Sequence, residues 1–70
     1  MAPDQDQVRL IFRDTYNFYL KYKDISDPED WIPLIQDMRR IDRDYPCELC
    51  RRILLELVKI IEHEFMIRRQ

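Results

Sequence analysis

Residues 46–67 read PCELCRRILLELVKIIEHEFMI, and their periodicity decides the fold. Advancing by about 100° per residue, Cys47, Leu49, Cys50, Ile53, Leu54, Leu57, Val58, Ile60, Ile61, Phe65 and Ile67 occupy about half of a helical wheel. Glu48, Arg51, Arg52, Glu56, Lys59, Glu62 and His63 occupy the other half. The pattern predicts one amphipathic helix over 46–67, roughly 33 Å long. Pro46 suits its first position, with Asp44 or Tyr45 as the cap. A half-apolar helix of that length needs neighbours to bury it, and the upstream sequence supplies two.

The first neighbour is predicted over residues 4–23. Asp4 can cap, and Gln7 stands three residues on, the spacing of a capping box. Val8, Ile11, Phe12, Thr15, Phe18, Tyr19 and Tyr22 then share an arc of less than half the circumference, with Tyr16 at its edge. The second is predicted over residues 28–43. Asp27 before Pro28 is a cap followed by a proline at the first helical position, with Glu29 and Asp30 in the turn that the helix dipole favours. Pro33 cannot donate to the carbonyl of residue 29, so a helix already running from 28 would kink there. A short tight turn over 28–30, with the main helix starting near Asp30, removes the conflict. Trp31, Leu34, Ile35, Met38 and Ile41 form the inward stripe. Short connectors make successive helices antiparallel. The expected fold is an all-α, antiparallel three-helix bundle of about 4–23, 28–43 and 46–67, in a single domain spanning 1–70 with residues 1–3 and 68–70 frayed. The third helix is longer than the second, so its end near "FMIRR" is expected to overhang.

Composition agrees with helices packed on helices. The chain has no glycine, which phosphate-cradling loops and tight hairpins require. Seventy residues are few for a self-sufficient core. Twelve basic and fourteen acidic side chains leave a net charge of −2. The N-terminal "MAPDQDQV" is acidic and polar where a secretory signal would be basic and then apolar. No apolar run approaches the length of a membrane span. A cytoplasmic protein with reduced thiols and no membrane contact is expected.

Three features are candidates for chemistry. Cys47 and Cys50 have the spacing of a redox dithiol or of half a zinc site. On the wheel, however, both lie on the apolar face with Leu54, Leu57 and Ile61, and free cysteine packs as a small hydrophobe. Zinc normally takes four ligands, and His63 lies on the opposite face, about 24 Å along the axis from Cys47. Four thiols from two copies, or oxidation of the pair, remain lesser alternatives. Ser26 and Thr15 lack the neighbours of a nucleophile, and His63 reads as a solvated side chain. No catalytic residue, metal site or cofactor is expected, and no enzyme. The third feature is the arginine corner, Arg39, Arg40, Arg43, Arg51 and Arg52, as a contact for a phosphate backbone in nucleic-acid machinery. Interspersed Asp37, Asp42, Asp44 and Glu48 cancel most of its field, which argues against nucleic acid as the main partner.

What remains is binding. Leu10 and Leu20, with Arg13 between them, stand off the first helix's core arc; Leu55 and Met66 do so on the third helix around Lys59, and Ile32 on the second. These residues are the expected protein-binding surface, with Trp31 or the first-helix tyrosines as anchors, and a second copy of the chain is the simplest cover for an overhanging apolar end. The segments "DTYNFYLKYKD" and "LCRRILLELVKIIE", with Trp31 between them, resemble small uncharacterised helical proteins of phages and mobile elements in Gram-positive anaerobes, over residues 12 to 64. That resemblance implies a helical fold and an accessory factor that binds a host-encoded or element-encoded machine. It implies no active site.

Overall fold

The computed structural model describes residues 3–69, the side chain of Arg69 excepted. Three α-helices follow one another: α1 over Gln5–Tyr22, α2 over Trp31–Asp44 and α3 over Glu48–Arg69, with a single 3₁₀ turn over Pro28–Asp30. Every pair of helices is in contact, and they form an elongated bundle of 42 × 17 × 16 Å.

The helix starts follow from local chemistry. Asp4 Oδ1 accepts from the Gln7 amide at 2.8 Å, while Gln7 Oε1 accepts from the Asp4 amide at 3.4 Å, which completes the capping box. Asp27 Oδ1 accepts from the Glu29 amide at 3.0 Å, so Pro28–Asp30 forms the expected tight turn and Pro33 falls in the first turn of α2, where no donor is missed. The start of α3 differs from expectation. Neither Asp44 nor Tyr45 caps it, and Pro46 is not its first residue. Instead α2 runs on to Asp44, and the Tyr45 amide closes it on the Ile41 carbonyl at 3.0 Å. The Cys47 amide then donates to the Tyr45 carbonyl at 2.7 Å across Pro46, and the Cys47 carbonyl accepts the first bond of α3 from Arg51 at 3.2 Å. Proline preorganises a three-residue reversal here, and a reversal that tight lets α2 extend to its very edge.

The core draws on all three helices. Ile11, Thr15, Phe18 and Tyr22 come from α1, Leu34 and Ile41 from α2, and Cys50, Leu54, Ile61 and Phe65 from α3. Thr15 is accommodated because its hydroxyl donates to the Ile11 carbonyl at 2.7 Å. Four residues expected in the core are instead exposed: Phe12, Ile35, Ile60 and Ile67. Each lies at the margin of its helix's apolar arc. In a three-helix bundle two neighbours cover only part of a helix's circumference, so an arc as wide as half the wheel leaves its margins in water.

The overhang near Phe65 is largely covered. The connector between α1 and α2 folds over it: Ile25 is buried, and the Trp31 ring meets Phe65 edge-on at a centroid distance of 5.5 Å. Arg68 fastens this cover. Its guanidinium Nη2 donates to the carbonyls of Ile25 at 2.7 Å and Lys23 at 3.2 Å. Helix α3 thus continues through the segment expected to fray at 68–69, while residues 1, 2 and 70 lie outside the described residues. Among the described residues, no helix is long and apolar enough to cross a membrane.

Candidate functional site

Helix α1 borders both of the other helices, and its two seams have opposite chemistry. The seam with α2 is polar. Tyr22 Oη donates to Asp37 Oδ2 at 2.5 Å, and Lys21 Nζ donates to the same oxygen at 2.8 Å. About two helical turns away, Tyr45 Oη donates to Asp14 Oδ2 at 2.6 Å, and Arg13 Nε donates to Asp14 Oδ1 at 3.0 Å. Between these two knots lies a groove of about 320 Å³, also bordered by Asn17, Arg40 and Asp44. The hydrogen bonds from Lys21 and Tyr22 hold the Asp37 carboxyl below its ordinary pKa. Burial pushes the Asp14 carboxyl up, but the bonds from Tyr45 and Arg13 together with nearby positive charge outweigh it, and the net direction is down. Both phenols are shifted up, Tyr22 chiefly by burial and Tyr45 chiefly by its bond to Asp14. The sequence reading missed these residues as a set. Each phenol meets its carboxylate 15 or 31 residues away, a separation with no helical signature.

The outer side of the seam with α3 is apolar. Phe12, Tyr16 and Leu20 recur every four residues along α1, on the flank turned away from Asp14 and Lys21. Phe12 and Tyr16 are 54% and 61% exposed. On α3, Ile53, Ile60 and Ile67 recur every seven residues, with Leu57 beside them. These fall on the flank opposite Arg51 and Leu55, which border α2 together with Met38. Helices α1 and α3 run parallel, so the two stripes lie side by side on one face.

The expected docking residues are dispersed around the bundle. Leu20 falls on the α1–α3 face, whereas Arg13 stands on the outside of α1 with its guanidinium turned to Asp14 of the polar seam. Leu10 is on the α2 side of α1. Leu55, Lys59 and Met66 lie on the other flank of α3, and Ile32 stands alone on the outside of α2. The arginine corner is divided as well. Arg40 lies 3.9 Å from Asp37, Arg51 3.7 Å from Asp42 and Arg52 3.0 Å from Glu48. Arg40 borders the polar groove, whereas Arg39 and Arg51 together line a separate cleft between α2 and α3. Arg39 and Arg43 are exposed on α2.

The thiols differ from each other. Cys50 is fully buried, its Sγ 4.0 Å from the Ile41 carbonyl, and burial pushes its pKa up to about 11. Cys47 is half-buried at the margin of a cleft beside Gln7 and Tyr45. Both are free thiols, and among the described residues no cluster of three metal-ligating side chains occurs. His63 is exposed.

Compared with known proteins, the sequence matches no family model, and no curated protein or solved structure is similar to it.

Proposed function

We propose that this chain is a non-enzymatic binding protein whose working surface is the outer face shared by α1 and α3. One observation carries the reading: Phe12, Tyr16 and Leu20 on α1 and Ile60 and Ile67 on α3 are all about half exposed, and helical spacing turns both sets to the same side of the bundle. Scattered apolar residues need no explanation, but a contiguous aromatic and aliphatic strip is the usual mark of a docking site. Tyr16 and Phe12 are of the type that anchors protein interfaces, large and rigid with few rotamers to freeze. The polar seam supports the non-enzymatic half of the reading. Asp14 and Asp37 are bonded to phenols and cations of the same chain and are held ionised, whereas a general acid or base works best with a pKa near the operating pH.

The test is site-specific photo-cross-linking in the cells that make the protein. A photoreactive residue at position 16 is expected to give protein adducts that disappear when Ile60→Glu is added. The same group at position 21, in the polar seam, is expected to give few. Equal yields at the two positions would sink the reading.

A further inference from the structure

We propose that the α1–α3 face is closed by a second copy of this chain, related by a two-fold axis parallel to the helices, so that α1 of one protomer lies over α3 of its partner. The inference rests on the reading of this face as the binding surface and names its occupant.

Area argues for a partner of this size. At roughly 200 Å² per large side chain, the half-exposed Phe12, Tyr16, Leu20, Ile60 and Ile67 present on the order of 500 Å² of apolar surface. The largest contiguous apolar patch on a monomeric protein is itself about 300–600 Å² and is often functional. A standard interface covers about 800 Å² per partner, about 65% of it apolar in homodimers. The strip therefore matches the apolar half of a two-fold interface in extent.

Charge selects the arrangement. Glu56 stands at the solvent edge of the α3 stripe, its carboxylate 3.5 Å from Lys59, and Arg13 at the solvent edge of the α1 stripe, its guanidinium 3.0 Å from Asp14. The bonds from Arg68 to Lys23 and Ile25, 45 and 43 residues away, set the C-terminal end of α3 beside the end of α1. That offset puts Arg13 within about one turn of the level of Glu56. A two-fold axis along the helices lays α1 over the partner's α3 at equal height, so each Arg13 meets Glu56 of the partner subunit, once on either side of the axis. An antiparallel arrangement would lay α1 on α1 and offer Arg13 no Glu56 of the partner subunit. In the single chain Arg13 pairs with Asp14 at 3.0 Å and Glu56 with Lys59 at 3.5 Å, both at exposed sites where exchanging a partner costs little.

Sedimentation equilibrium from micromolar to millimolar concentration tests this. The unaltered chain is expected to form a dimer, and Tyr16→Glu to remain monomeric with unchanged helical circular dichroism. Arg13→Glu and Glu56→Arg are each expected to weaken the dimer about tenfold, since each sets two like-charged contacts across the axis. Mixing these two variants is expected to restore pairing, because the mixed dimer again opposes unlike charges at both contacts. This arm keeps the proposal falsifiable if Tyr16→Glu fails to fold. A chain monomeric throughout overturns self-pairing, and the cross-links from position 16 then belong to a foreign protein, which leaves the reading of the face intact. A dimer indifferent to Tyr16→Glu, or one not recovered on mixing, overturns the arrangement.

Discussion

The two seams of α1 are built from the same helix, yet one is chemically closed and the other open. Against α2, every carboxylate that faces the groove from Asp14 or Asp37 has a phenol and a cation of its own chain. Against α3, the outward residues are aromatic and aliphatic, and the described residues leave them about half exposed. The difference is one of saturability. A hydrogen bond is satisfied by one or two partners, so a polar seam can complete itself between two helices. An apolar strip is relieved only by area, and a bundle of three short helices has no fourth surface to offer.

The largest expected effect breaks the comparison within α3 itself. Ile60 and Ile61 are neighbours, but Ile61 is fully buried while Ile60 is 44% exposed. Ile61→Ala is expected to destabilise the fold by about 2–5 kcal/mol and Ile60→Ala by less than about 1 kcal/mol, read by urea unfolding in dilute solution. Equal losses would show that the α1–α3 face is already part of the core. Next come the knots of the polar seam. Tyr22→Phe and Tyr45→Phe are each expected to cost about 1 kcal/mol, with Tyr22 the more buried of the two phenols. A Tyr16→Phe control on the other face is expected to change stability by under about 0.5 kcal/mol.

The smallest effect is in pH dependence, and its sign follows from the shifts. The carboxyls of Asp14 and Asp37 titrate lower in the folded chain than their ordinary value of 3.8. Their contribution to stability is therefore complete above that value and lost as pH falls below it. The phenols of Tyr22 and Tyr45 titrate higher than their ordinary value of 10.0, so their contribution is complete below pH 10 and lost as pH rises through the folded values. Thermal unfolding across pH is expected to show a plateau between these limits, with Asp37→Asn flattening the acid edge. An acid edge unchanged by Asp37→Asn would mean that the seam contributes nothing to stability.

Much of this was legible because it is local. The capping box of Asp4 and Gln7, the turn at Asp27–Pro28 and the tolerance of Pro33 each depend on residues within four positions of one another. Three helices and their joints follow from such short-range rules and from periodicity. The exception, the start of α3, turned on how tightly Pro46 could reverse the chain, and that depends on where α2 needed to end.

The sequence by itself determined that there are three amphipathic helices and on which side of each the apolar residues lie, since periodicity and capping act through covalent neighbours. Only the tertiary structure decided which margin of each apolar arc is covered, so that Ile11 and Ile61 are interior while Phe12 and Ile60 face water. It also decided which phenol meets which carboxylate, and that Arg68 secures the connector at Ile25. The reason is geometric: the helical wheel fixes directions around one axis, whereas burial depends on where the other two axes lie.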